Sequence, residues 1–156
     1  MPPASSLASM PAGAARAAPP RLGGRRMPRV LLVHGEAIVR ETLPSYLQAH
    51  MWVDIRTAAS GRDALARLTS EGFDVVIADD AMQDMTGAEL MRRVRAEQPG
   101  IGRIVMRRRH EPTDPEAAAR AAPDAVVLKP YSLRGVESAL QDVLMRPRVV
   151  NLGRSP

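Results

Sequence analysis

At 156 residues the chain holds one ordinary domain with tails and excludes a second. Apolar residues at 45% and charged residues at 25% exclude a wholly disordered chain, the lack of cysteine excludes disulfides and thiolate chemistry, and no apolar run approaches the roughly 20 residues of a membrane helix. The net charge of +5 does not mark a nucleic-acid-binding body: residues 1–29 carry five arginines and residues 146–156 three, with no acid in either stretch, so 30–145 holds fourteen basic residues against seventeen acids.

Residues 1–27 are rich in Pro, Ala, Gly, Ser and Arg without an apolar period, and are expected to form a disordered extension. They lack the apolar core of a secretory signal, and Met27 is an alternative start because the folded pattern begins directly after it. One domain is expected over 28–146, followed by a short basic tail over 147–156. Strands are predicted over 29–33, 53–57, 74–78, 103–106 and 125–128, and their nearly continuous apolar content implies burial on both faces. A first helix over 37–49 turns Val39, Leu43 and Leu47 inward, with Pro44 expected to kink it. A second over 61–70 buries Leu65 and Leu68, and a third over 87–97 buries Leu90, Met91 and Val94 before Pro99 and Gly100 end it. A short fourth helix starts at an Asp114 cap with Pro115 in its first turn. The fifth starts at a Ser132 cap and turns Leu133, Val136, Leu140, Val143 and Leu144 inward until Pro147. Five such rounds predict an α/β fold with a doubly wound, five-stranded parallel sheet of order 2-1-3-4-5, whose sites form at the carboxyl ends of the strands.

Those ends carry His34-Gly35-Glu36, Asp79-Asp80, Arg107-Arg108-Arg109 and Lys129-Pro130. Each has an ordinary structural explanation by itself, but the phrase FDVVIADDAMQDMTGAEL followed some fifty residues later by AVVLKPYSL is more specific. With LLVHGEAIVRETLPSYL and TAASGRDALARL, it resembles the receiver domain of bacterial two-component response regulators, over about residues 29–145. The resemblance implies the flavodoxin-like receiver fold. It also implies Asp79 as phosphoacceptor from a partner histidine kinase, Lys129 as a point charge for the phosphoryl oxygens, Pro130 as an aid in aiming it, and Gly87 as the turn into the third helix.

Three departures stand beside these matches. The acidic pair that helps hold Mg²⁺ in such domains is here His34 and Gly35, an imidazole and a hydrogen, so no metal is expected. Glu36, Asp80 and Asp84 read as loop acids rather than substitutes. The hydroxyl switch position is Arg107, and the aromatic rotor position three residues before Lys129 is Val126. Two readings of Arg107 remain open from sequence: an ion pair with Asp79 that replaces the switch, or the start of a solvated basic loop. His34 is expected to be a hydrogen-bonded structural side chain.

The expected function is a stand-alone, degenerate receiver, not an enzyme, that binds a protein partner without phosphorylation. That partner is a histidine kinase or another signalling protein in the cytoplasm. The alternative is a competent phosphoacceptor on Asp79. Direct DNA binding through the basic tails is a distant third, since no recognition helix follows residue 145. The sequence leaves oligomeric state open.

Overall fold

The computed structural model describes residues 21–109 and 114–146. The disorder expected of residues 1–20 and the basic tail 147–156 lie outside the described residues. The chain opens with a small antiparallel hairpin of β1 (Arg21–Leu22) and β2 (Arg25–Arg26), within the stretch expected to be disordered. The reason is local: Gly23 and Gly24 have φ of +57° and +80°, the left-handed backbone that a two-residue hairpin turn requires. Arg26 then reaches Asp74 at 2.5 Å, and Asp74 also accepts the backbone N–H of Arg29 at 2.8 Å. Those bonds tie the hairpin to the sheet.

The main sheet contains β3 (Arg29–Val33), β4 (Asp54–Ala58), β5 (Val75–Asp79), β6 (Gly102–Arg108) and β7 (Ala125–Lys129), all parallel, in the order β4-β3-β5-β6-β7. This is the predicted 2-1-3-4-5 order. Five helices connect the strands: α1 (Ala37–His50), α2 (Gly61–Ser70), α3 (Gly87–Glu97), α4 (Pro115–Ala121) and α5 (Leu133–Met145). Helix α1 continues through the buried Pro44 to His50.

Because successive strand residues point to opposite faces, the inner strands supply two cores, one on each side of the sheet. Val30, Leu32, Val75, Ile77, Ile104 and Met106 meet Leu43 and Leu47 of α1 and Val136, Leu140 and Val143 of α5. Leu31, Val33, Val76, Ala78 and Val105 meet Ala64 and Leu68 of α2, Leu90, Met91 and Val94 of α3, and Ala121 of α4. The expected caps Asp114 and Ser132 are in place, and Ser60 and Thr86, which the sequence reading did not single out, cap α2 and α3 in the same way, each side chain accepting a backbone N–H of the first turn.

Burial on both faces holds for the inner strands β3 and β5, which are buried throughout, but not for the sheet edges. Val126 and Leu128 of β7 are each 39% exposed, and Arg56 of β4 faces solvent. An edge strand has one neighbour, and α4 packs against α3. Leu65 and Val39 are only partly buried, and Leu133 is exposed, because the apolar faces of α2, α1 and α5 are narrower than their periodicity suggested.

Candidate functional site

Asp79 is the last residue of β5, and His34 directly follows β3. Val33 and Ala78 are partners in register, so His34 and Asp79 emerge side by side from adjacent parallel strands. Lys129 ends β7, one strand beyond β6. Its Nζ donates to Asp79 Oδ1 at 2.6 Å, while His34 Nε2 lies 3.4 Å from Asp79 Oδ2. The Asp79 and His34 side chains are almost wholly buried, and Lys129 is about a quarter exposed.

The imidazole is held in one tautomer. His34 Nδ1 accepts the backbone N–H of Glu36 at 3.1 Å, which assigns the ring proton of the neutral form to Nε2, the nitrogen facing Asp79. Burial holds the His34 pKa below its ordinary value; the attraction of Asp79 acts the other way, and Lys129 reinforces the lowering. A neutral N–H therefore faces one carboxylate oxygen at 3.4 Å, and an ammonium is bonded to the other at 2.6 Å. His34 is a hydrogen-bonded buried side chain, as read from the sequence, though directed at Asp79 rather than merely at its own loop. The phenol of Tyr131, two residues after Lys129, has its pKa raised by burial and by the charges of Asp79 and Glu36. It belongs to the surroundings of the site and carried no signal in sequence beyond being aromatic.

The loops around the carboxylate are fixed by backbone hydrogen bonds. Asp80 Oδ1 accepts the N–H of Ala88 at the start of α3. Asp84 accepts the N–H groups of Gly61 and Arg62 at 3.1 and 2.8 Å, so an acid from the β5–α3 loop caps α2 and its pKa falls chiefly through the Arg62 bond. Arg40 donates to the carbonyls of His34 and Gly35, both at 2.9 Å, pinning the β3–α1 loop. Sequence reasoning missed the roles of Arg40 and Asp84, since nothing in their local spacing encodes a partner in another loop.

Gly87 serves by its lack of a side chain rather than by an unusual φ. A Cβ there would stand 2.8 Å from the Asp79 carbonyl oxygen and 2.9 Å from Asp80 Cα. Only glycine lets α3 start this close to the strand that bears Asp79. Gly35 is open, with nothing within 4 Å of a Cβ built on it. The Lys129–Pro130 peptide bond is cis.

The pair of Arg107 with Asp79 that the sequence left open is not formed among the described residues: Asp79 pairs with the Lys129 ammonium and faces the neutral His34 imidazole. Arg107 is half-buried near the end of β6, in register with Leu128 of β7, and Arg108 and Arg109 are exposed. Lys129 holds one oxygen of the carboxylate at 2.6 Å and the His34 imidazole faces the other. Val126 lies on the outer face of β7 and points away from the core that receives Val127.

The residues present do not fit the Mg²⁺ that the resemblance implies. Gly35 offers no ligand, both oxygens of Asp79 are faced by nitrogen groups, and Asp80 and Asp84 are engaged as helix caps. Among the described residues no group of three or more His, Asp or Glu side chains is placed to hold a metal ion.

Residues 30–141 match the response regulator receiver domain family. The chain belongs to this family. It is 30% identical over 123 residues to the probable transcriptional regulatory protein TcrX of Mycobacterium tuberculosis, covering 79% of this chain and 52% of the relative. It is 26% identical to the response regulator protein VraR of Staphylococcus aureus, over 72% of this chain and 54% of the relative. This receiver thus spans about half the length of the curated relatives it matches. Among solved structures it resembles the chemotaxis response regulator CheY4 of Vibrio cholerae, with a TM-score of 0.68, 28% identity, and coverage of 75% of this chain and 98% of that one. A CheY-like receiver domain protein of Methanospirillum hungatei shares the fold at a TM-score of 0.66 and 22% identity, covering 74% of this chain and 92% of that one. Receiver domains are signalling modules of two-component systems rather than enzymes in the ordinary sense. Within the described residues of this one, no helix is long and apolar enough to cross a membrane.

Proposed function

We propose that this receiver is degenerate and works as a protein-interaction module whose output does not depend on phosphorylation of Asp79. The observation that carries the reading is that the Asp79 carboxylate is already paired, with Lys129 Nζ bonded to Oδ1 at 2.6 Å and the His34 imidazole facing Oδ2 at 3.4 Å. Phosphoryl transfer is mostly positioning and charge neutralisation around an incoming group. An acceptor carboxylate flanked by an ammonium and a fixed imidazole is already neutralised, and the residues that would bring a divalent ion to it are an imidazole and a glycine. Arg107 and Val126, which replace the hydroxyl and the aromatic ring of the family's switch, support the same reading because neither can perform the paired movement that reports phosphorylation. The domain is then held in one state, and recognition is by a fixed surface. A histidine kinase or another signalling protein is the proposed class of partner.

The test is intact mass of the full chain after incubation with acetyl phosphate, with and without Mg²⁺. No gain of a phosphoryl group by the folded protein is the expected result. A gain of one phosphoryl group that disappears in Asp79→Asn would establish Asp79 as a working acceptor and overturn this reading.

A further inference from the structure

A groove of about 530 Å³ runs between α2 and α3, lined by Ser60, Arg62, Leu65, Asp84, Met85 and Arg93. We propose that this groove binds an acidic, amphipathic peptide segment of a protein partner. The proposal rests on the interaction-module reading and names a surface and a partner chemistry for it.

The groove is built rather than incidental. The Met85 side chain packs directly onto Gly61, filling the space a Cβ at the start of α2 would take. Asp84 fixes the same wall through its two bonds to the N–H groups of Gly61 and Arg62. Leu65 and Met85 are both half-buried and supply an apolar strip, and methionine adapts readily to varied apolar partners.

The charge of the groove lining is positive on balance: Arg62 and Arg93 stand against the one carboxylate of Asp84, whose oxygens are turned onto backbone N–H groups. Glu89 is shared: Arg92 takes it with two hydrogen bonds at 3.0 and 2.7 Å, leaving Arg93 a single bond at 3.2 Å. The exposed guanidinium of Arg62 makes no ion pair among the described residues. Two arginines flanking a Leu and a Met complement a segment that alternates carboxylates with apolar side chains, the arrangement by which an amphipathic helix lies in a groove. Arginine also carries a large share of the binding energy where interfaces are measured. A nucleic acid is a poorer fit, because none of Tyr46, Trp52, Phe73 and Tyr131 lines the groove to stack on a base.

The experiment is selection from a random peptide display library on the full chain, with the double variant Arg62→Glu, Arg93→Glu as counter-target. Enriched peptides are expected to be net acidic with spaced Leu, Met or aromatic residues, to bind at least tenfold more weakly to the double variant, to weaken with added salt, and to shift the amide signals of Leu65 and Met85. Arg62→Gln, Arg93→Gln, judged folded by its melting curve, is expected to show a smaller loss in the same direction. No enrichment, enrichment of neutral or basic peptides, binding indifferent to the arginines, or equal binding of an oligonucleotide at the same arginines would each overturn the proposal. Failure here leaves the acetyl phosphate result untouched, and phosphorylation of Asp79 leaves the groove result untouched, so the two readings fail separately.

Discussion

His34 Nε2 and Asp79 Oδ2 face one another at 3.4 Å from the ends of two adjacent parallel strands, with Lys129 closing the other side of the carboxylate at 2.6 Å. In an acid-rich site, removing one carboxylate relieves repulsion. Here the only acid in the trio is Asp79, so its removal strands an ammonium.

Asp79→Asn is accordingly expected to lower stability, by about 1–3 kcal/mol as for other buried charged hydrogen bonds that lose a partner. Lys129→Met should do the same by leaving the buried carboxylate with only the imidazole. Urea denaturation of both variants and of the double variant checks this: the two losses should fall short of adding, since they remove one shared contact.

His34 makes stability depend on pH. Its folded pKa lies below the ordinary value of 6.5, so the unfolded chain takes up the proton first. The contribution is fully present above pH 6.5 and is lost as pH falls from there toward the folded value, with a slope of at most about 1.4 kcal/mol per pH unit. Thermal melts of the wild type and His34→Gln across pH 5 to 8 should diverge in slope over that window. Equal slopes would show that His34 does not titrate differently in the folded protein.

Gly87→Ala places a Cβ 2.8 Å from the carbonyl oxygen of Asp79, against backbone that cannot turn aside. A loss of about 1–3 kcal/mol is expected from overpacking, despite alanine's better helix propensity. Gly35→Ala, at an open position, is the control and should leave the urea midpoint nearly unchanged.

Asp84→Ala removes an acceptor from two N–H groups at the start of α2, and a loss of about 1 kcal/mol is expected, typical of a missing helix cap. Hydrogen exchange should accelerate at Gly61 and Arg62 more than in the sheet. The Asp84 pKa is depressed by those bonds, so the stabilisation is present above the ordinary carboxylate range and disappears as pH falls through the folded value.

The sequence by itself determined the elements and their order. Short continuous apolar runs and period-3.6 apolar patterns, the Ser132 and Asp114 caps, and the terminators after α3 and α5 are properties of neighbouring residues, so they survive without any knowledge of distant contacts. The Gly23-Gly24 hairpin was equally local, but two strands of two residues are too short to register as a pattern. The family resemblance placed Asp79 and Lys129 at strand ends that the fold brings together. Only the tertiary structure decided what holds Asp79. The choice between Arg107, Lys129 and His34 turns on which side chain reaches an oxygen from strands 28 to 50 residues away, and register and burial set those distances after the sheet has assembled. For the same reason Asp84 reads as a loop acid in sequence and becomes the cap of α2 in space: hydrogen-bond partners are chosen by geometry over a few ångströms, which a one-dimensional spacing does not contain.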